Sequence, residues 1–183
     1  MLDQLARVEK VLPDWLRVRT DWNSLFIDYR TPFVERLWLQ DGPYRVFLHR
    51  VHPCAFQRAF YHPHPWPSAM WVVAGGPYEC AVGFGPPSGE PPSHAATFIA
   101  RPPLFYEMTD PNGWHYVRPI GDPVYTIMVT GPVWKRRSGP KPDHQLKPLP
   151  EKDIADLKGA FGRFLEEHKN KVTSPSYIMG ARK

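Results

Sequence analysis

Cysteine is scarce in this sequence, with only Cys54 and Cys80 among 183 residues. Two cysteines exclude a disulfide framework and a zinc cluster built on thiolates. No apolar run approaches the roughly 20 residues of a membrane span, and the first ten residues lack the basic segment and apolar core of a secretory signal. We therefore expect a reducing, cytoplasmic setting and no membrane partner.

Long helices should be rare, because 23 residues are proline and proline lacks the N–H that a helix interior needs. Hydrophobic residues at 42% and charged residues at 22% give an ordinary globular balance, so wholesale disorder is excluded. A chain of this length can bury one sizeable core.

The net charge of +5 is concentrated near the C-terminus, where residues 135–183 hold twelve Lys/Arg against six Asp/Glu. The densest cluster is Lys135-Arg136-Arg137. Such a cluster is compatible with nucleic acid or an anionic membrane surface as a partner. A solvated connector is the favoured interpretation, so we do not expect a nucleic-acid partner.

Short apolar segments broken by Gly, Pro and Asp follow one another through the middle of the chain, a spacing typical of a sandwich or barrel. The predicted strands are 33–39, 44–51, 69–75, 78–84, 96–101, 104–108, 114–118 and 124–130. Asp41-Gly42-Pro43 and Gly75-Gly76-Pro77 are predicted to be hairpin turns.

One helix is predicted at each end. Near the N-terminus apolar residues recur at helical spacing until Pro13 interrupts them. A second helix is predicted over 151–168, after a Pro/Lys-rich link. Its apolar face contains Ile154, Leu157, Phe161, Phe164, Leu165 and His168.

Histidines carry the functional signal. The segment His62-Pro63-His64-Pro65-Trp66 has two imidazoles two residues apart, which point to the same side of an extended chain. His115 follows a predicted turn and begins another strand. Three imidazoles from two strands would form a facial metal site with coordination positions left for water or substrate. Alternatively, His62 and His64 lie in a solvent-facing loop and His115 is an ordinary half-buried strand residue.

This pattern resembles the cupin superfamily of small jelly-roll β-barrels. The first cupin motif has a His-x-His pair, a Glu and then a Gly; Gly75 matches the Gly, but Ser68 or Ala69 stands at the Glu position. In the second motif Pro111, Gly113 and His115 match, one residue short of the usual spacing. The likeness is greatest to small uncharacterised bacterial cupins with a His-x-His-Pro-Trp signature and a strand that ends in Thr-Gly-Pro, here Thr130-Gly131-Pro132.

The resemblance implies a mainly β fold with one cupin-type jelly-roll barrel over 33–132. Residues 1–32 would form an N-terminal helix and extension, and residues 133–183 a basic linker, a C-terminal helix and a tail. The resemblance also implies one divalent transition-metal ion bound by His62, His64 and His115. Iron, nickel, zinc, copper and manganese all accept imidazole ligands.

Without the glutamate, the charge of the ion would be uncompensated, so an anionic ligand is expected. Glu79 and Glu107 are candidate substitute carboxylates. The candidate residues for lining a ligand pocket beside the metal are His49, Trp66, Tyr106 and Trp114. The candidates for an inward-pointing arginine that binds a carboxylate are Arg45, Arg50, Arg101 and Arg118.

Three classes of function remain open, because a fold does not define an activity. The first is a metal-dependent, dioxygenase-like oxidoreductase that acts on a small organic acid. The second is a non-catalytic module that binds or senses a small ligand. The third is a degenerate barrel that serves as an interaction module. The sequence identifies no catalytic acid or base.

A homodimer is also predicted. The apolar stripe of the second helix is too wide to face water, and two-fold pairing is the commonest soluble assembly. A strand near 24–28 is the candidate for exchange between subunits. A helix folded back on its own barrel explains the same stripe.

Overall fold

The computed structural model describes residues 1–86, 90–134 and 142–173. The elements of this part of the chain are α1 Leu2–Val18, β1 Asn23–Ile27, β2 Val34–Asp41, β3 Tyr44–Val51, β4 His62–Pro63, β5 Ser68–Gly75, β6 Tyr78–Phe84, β7 Ala96–Ala100, β8 Leu104–Met108, β9 Gly113–Pro119, β10 Val124–Thr130 and α2 Glu151–Thr173, with a short 3₁₀ turn at Phe56–Arg58.

The strands form two antiparallel sheets. The six-stranded sheet has the order β1-β2-β3-β10-β5-β8, and the four-stranded sheet has the order β4-β9-β6-β7. The mainly β class is thereby confirmed, and each of the eight predicted strands is present with its ends in place or shifted by one or two residues. The single closed barrel and the three-part division of the chain stay predictions.

Both faces of the six-stranded sheet are covered. Strand alternation turns Leu37 and Leu39 of β2 toward one face, where α1 and α2 pack on the sheet. Leu5, Val8 and Leu12 of α1 and Leu157, Phe161 and Leu165 of α2 complete this main core.

The opposite face of the six-stranded sheet looks toward the four-stranded sheet. Val72 and Val124 from the first sheet pack with Tyr78 and Cys80 from the second. A smaller apolar cluster of Phe47, Met70 and Met128 lies on the same inner face. Helices, six-stranded sheet and four-stranded sheet thus form three successive layers, and the inner space lies between the two sheets.

Two sequence predictions require correction. Helix α1 continues through Pro13 to Val18, because Trp15 and Leu16 beyond the proline pack against the same core, and this burial outweighs one lost backbone hydrogen bond. The segment Gly75-Gly76-Pro77 does not close a hairpin. It carries the chain from β5 in the six-stranded sheet to β6 in the four-stranded sheet.

Gly75 is required where the chain changes sheet. Its φ is +105°, and a Cβ built on it would lie 2.2 Å from the carbonyl oxygen of Pro123 and 2.8 Å from the Cα of Val124. Only glycine combines this backbone conformation with so close an approach of another strand. The glycine that the cupin resemblance singles out therefore has a steric role.

The stripe on α2 packs within its own chain, where Leu157 and Phe161 are fully buried. Strand β1 pairs with β2 of the same chain. The observation that suggested a homodimer is therefore explained without one, and the dimer stays a prediction.

In the described part of the chain, no helix combines the length and the apolar character of a membrane span. The basic cluster Lys135-Arg136-Arg137 lies outside the described residues.

Candidate metal centre

His62 and His115 lie opposite each other on two paired strands. The two-residue strand β4 runs antiparallel to β9, with His62 facing His115 and Pro63 facing Trp114. The centroids of the two imidazole rings are 5.0 Å apart. Prolines keep β4 short, because a residue without an N–H cannot extend the ladder of hydrogen bonds.

His64 follows β4 directly, and Ser68 at the start of β5 orients it. The Oγ of Ser68 lies 3.1 Å from Nδ1 of His64, and both residues are buried. The other ring nitrogen of His64, Nε2, lies 2.9 Å from Nε2 of His115. The His64 ring is thus held at one nitrogen and presents the other to its neighbour.

The three histidines form a group that could hold a metal ion, since one ligand atom from each lies within 4.8 Å of the others. Two nitrogens bound at about 2.1 Å and at a right angle would be about 3.0 Å apart. The observed 2.9 Å between the Nε2 atoms of His64 and His115 matches this separation. The donor set therefore fits a divalent ion of borderline softness.

The protonation of the rings also suits a metal. Nδ1 of His62 donates to the carbonyl oxygen of Phe60 at 2.9 Å, which leaves Nε2 with its lone pair. Burial lowers the pKa of His62. Burial, with added repulsion from His64 and His62, holds the pKa of His115 well below its usual value. Neutral imidazole is the form that binds metals.

The rings border a cavity of about 250 Å³ between the two sheets. Of the four residues predicted to line a pocket, His49, Trp66 and Tyr106 line this cavity. Trp114 lies elsewhere, because neighbouring residues on a strand point to opposite faces and its neighbour His115 points inward. The Nε1–H of Trp114 is shared between the carbonyl oxygens of Gly85 and Pro86, at 3.3 and 3.2 Å.

A polar row crosses the six-stranded sheet on the cavity side. Arg36 of β2 is opposite His49 of β3, and His49 is opposite Thr126 of β10. Nε of Arg36 donates to Nε2 of His49 at 2.9 Å, and Nδ1 of His49 lies 3.2 Å from Oγ1 of Thr126. Sequence reasoning missed Arg36, although Val34-Glu35-Arg36-Leu37-Trp38 already placed it on a strand.

The two candidate carboxylates are engaged away from the cavity. Glu79 accepts hydrogen bonds from the hydroxyl of Tyr116 at 2.6 Å and from Arg118 at 3.2 Å. The Oε2 of Glu107 accepts from the backbone N–H of Leu2 at 3.1 Å. Neither is among the residues that line the cavity, so neither replaces the missing cupin glutamate.

None of the four candidates for a single inward-pointing arginine lines the cavity. Arg50 pairs with Glu35 and Arg118 pairs with Glu79, while Arg45 donates to the side chain of Gln40 and Arg101 is exposed. The arginines of the described cavity lining are Arg30, which is exposed, and Arg36. Of these, Arg36 lies within the row between the sheets.

No family model matches the sequence, and no curated protein matches it either. Among solved structures, the chain is similar to hydroxypropylphosphonic acid epoxidase from S. wedmorenis, with 11% identity, 62% of this chain and 57% of that chain covered, and a TM-score of 0.48. AerE from Microcystis aeruginosa gives 15% identity, coverage of 70% and 54%, and a TM-score of 0.44.

KdgF from Halomonas sp. gives 14% identity, coverage of 66% of this chain and 93% of that chain, and a TM-score of 0.43. The chain spans less than two thirds of the epoxidase and of AerE. Each of these similarities is too low to define the family or the chemistry of this chain.

Proposed function

We propose that this chain is a metal-binding protein of the cupin type that holds one divalent transition-metal ion at His62, His64 and His115. The observation that carries the proposal is the convergence of three imidazoles at the wall of a cavity, with two Nε2 atoms 2.9 Å apart. At this separation the two rings can share one hydrogen bond, whereas a cation would bind a lone pair of each ring.

The surrounding residues would prepare the site. Ser68 and the Phe60 carbonyl hold the Nδ1 sides of His64 and His62, as outer partners of metal-bound histidines commonly do. Met70 and Met128 give the cavity an apolar wall. When bound, a divalent ion supplies a Lewis acid with open positions for water, dioxygen or a substrate oxygen.

The proposed reaction class is a metal-dependent, dioxygenase-like oxidation of a small organic acid. No Asp or Glu occurs in the described lining of the cavity, so an anionic ligand would meet no repelling carboxylate there. Burial raises the pKa of Tyr106 well above its usual value. Its hydroxyl therefore stays protonated near neutral pH, and it can donate a hydrogen bond but is not a base.

The second candidate is a module that binds the same acid without turnover. Apart from the three proposed ligands, the described lining holds one further histidine, His49, and Arg36 and Thr126 engage its two ring nitrogens. This favours the second candidate, because most proton transfers in catalysis use a positioned His, Asp or Glu. The two candidates share the metal site and the ligand and differ only in turnover.

Elemental analysis of purified protein tests the metal site. We expect about one metal ion per chain in the wild type and less than about a tenth of that in a His62→Ala/His64→Ala double variant, because two of three ligands are lost. His144→Ala is the matched control, since His144 is exposed and pairs with Asp28 and Asp143. Equal metal content in all three proteins contradicts the proposal.

Oxygen consumption separates the enzyme from the binding module. Metal-loaded protein would be mixed with small carboxylic acids, and both binding heat and dissolved oxygen would be followed. Binding with metal-dependent oxygen uptake supports the oxidoreductase. Binding without uptake supports the module that binds or senses its ligand.

A further inference from the structure

We propose that Arg36 forms a carboxylate-binding subsite on the cavity wall opposite the three histidines. The subsite would hold the acid group of a small organic acid while the rest of the molecule extends toward the histidines. This inference rests on the proposed function for the second end of the ligand. The binding of the acid group depends only on Arg36 and its contacts, and it does not require a metal ion.

Arg36 lies between the two sheets, and the part of the chain that the structure describes gives it no counter-charge. Its Nε donates to His49, and among the described residues no carboxylate pairs with it. Two other partly buried strand arginines differ, because Arg50 and Arg118 each have a glutamate partner. A guanidinium removed from bulk water and left without an anion is costly, so its retention here indicates an anion that arrives from outside.

The contacts of Arg36 leave the edge of the guanidinium that carries both Nη nitrogens available for a carboxylate. Since Nε is used by His49, the two Nη nitrogens remain, and in the described part of the chain they have no hydrogen-bond partner. Two parallel N–H groups at the end of a guanidinium match the two oxygens of a carboxylate. The ring of Phe47 lies under the guanidinium, with Cζ 5.0 Å from its centroid, and stabilises the charge without occupying that edge.

The subsite is also held in place. His49 is 6% exposed and Thr126 is 6% exposed, and their side chains lie 3.2 Å apart on adjacent strands. Burial and the charge of Arg36 hold the pKa of His49 well below its usual value. The ring is therefore neutral and can accept from Arg36, so the guanidinium is fixed by a buried row rather than by solvent.

Arg36 and the three histidines line the same cavity. Arg36 belongs to the six-stranded sheet, whereas His62 and His115 belong to the four-stranded sheet. Burial lowers the pKa of Arg36 to about 10, so the guanidinium is still charged at neutral pH. With a metal ion bound at the histidines, a molecule with a carboxylate at one end and an oxygen donor at the other would meet positive potential at both ends.

Benzoate and benzamide are suitable probes, because they differ in charge but hardly in shape, and their ring suits the apolar walls. Calorimetric titration would use the full chain after treatment with a chelator, so that a metal cannot bind the probe. We expect wild type to bind benzoate at least tenfold more tightly than benzamide. Arg36→Gln should lose at least tenfold in benzoate affinity and leave benzamide unchanged.

Arg101→Gln is the matched control, since Arg101 is exposed and outside the cavity lining; it should bind as wild type does. Arg36→Lys should fall between wild type and Arg36→Gln, because lysine keeps the charge but lacks the two-nitrogen edge. Unchanged benzoate affinity in Arg36→Gln overturns the subsite. If Arg36→Gln does not fold, a wild-type preference for benzoate below twofold, or full affinity in Arg36→Lys, overturns it instead.

The metal content of the same proteins separates the two proposals. Arg36→Gln that keeps its metal but loses benzoate supports the subsite. A wild type that binds benzoate through Arg36 but no metal removes the metal centre and leaves the subsite standing. A wild type that binds metal but shows no preference for benzoate removes the subsite and leaves the metal centre standing.

Discussion

The Oγ of Ser68 lies 3.1 Å from Nδ1 of His64, and Ser68 is one of the two positions, with Ala69, where the cupin resemblance puts a glutamate. A serine brings no negative charge. Its hydroxyl instead holds the Nδ1 side of one imidazole and so sets the direction of the ring. The site is thus built from imidazole nitrogens without a carboxylate, so the charge of a bound ion would remain available to an anionic ligand.

Replacing Ser68 by alanine should weaken metal binding without unfolding the protein. The change leaves Nδ1 of the buried His64 without its Ser68 partner, and loss of such an outer partner commonly costs about tenfold or more in affinity. Competition with a chromophoric chelator measures the effect. Ser93→Ala, at an exposed position, should keep the wild-type affinity, and an equal affinity of Ser68→Ala would contradict the assigned role of Ser68.

Removing the metal should lower stability. A ligand that binds only the folded state stabilises it by about 2.7 kcal/mol when its concentration is a hundred times its dissociation constant. Urea unfolding with and without chelator should therefore differ by about 2–3 kcal/mol in the wild type. The His62→Ala/His64→Ala variant should show no difference, and a wild-type curve unaffected by the chelator argues against a metal at this site.

The candidate site was predictable where its signal is local. His62 and His64 lie in one short segment, and the sequence places both on the same side of an extended chain. The pairing of His62 with His115 depends on a contact between distant strands, and only the cupin resemblance connected them in advance. Trp114 was misplaced because it is the neighbour of His115 on β9, and neighbouring residues on a strand point to opposite faces. Which of the two points inward depends on how the four-stranded sheet lies against the other sheet.

Arg36 was not predictable from periodicity. In β2 the alternation puts Leu37 and Leu39 on one face and Arg36 on the other. In the structure the leucines face α1 and α2, and Arg36 faces the other sheet. Periodicity separates the two faces of a strand, but it does not show which face meets the helices and which meets the second sheet.

Gly75→Ala should destabilise the fold severely. The new Cβ would meet the carbonyl oxygen of Pro123 at 2.2 Å, and φ is +105°. Strain of about 1–3 kcal/mol from the backbone alone would be added to this steric contact. Gly121→Ala is the control, because its φ of +82° is also positive but nothing lies within 4 Å of its Cβ. Urea unfolding should show the loss at Gly75 exceeding that at Gly121 by at least about 1 kcal/mol; equal losses would refute the close approach at Gly75.

Phe161→Ala tests whether α2 belongs to the core of its own chain. Phe161 is fully buried, and its ring contacts that of Tyr125 at 6.0 Å between centroids. The loss should be about 3–5 kcal/mol, independent of protein concentration. Phe84→Ala, at a residue 62% exposed, should change stability by less than about 0.5 kcal/mol. A Phe161→Ala loss that grows on dilution would instead place α2 at a subunit interface.

The stability of the protein should fall in acid partly because of His49. Burial, together with the charge of Arg36, lowers the pKa of His49 well below its usual value, whereas in the unfolded chain it is about 6.5. Above about pH 6.5 the ring is neutral in both states, so it adds no pH dependence. Below that pH the unfolded chain binds a proton that the folded chain does not, and stability is lost until the pH falls to the folded pKa.

His49→Gln should therefore flatten the decrease in the free energy of unfolding between pH 7 and pH 5, by up to about 1.4 kcal/mol per pH unit. His62 and His115 also have lowered pKa values and add to the slope in both proteins, so only the difference between the wild-type and His49→Gln slopes reports His49.

His144→Gln is the opposing control. Hydrogen bonds to Asp143 and Asp28 raise the pKa of His144, so its contribution is present in acid and is lost as the pH rises. Removing it should steepen the acid decrease, and a His49→Gln curve parallel to the wild type would show that the ring is not held neutral.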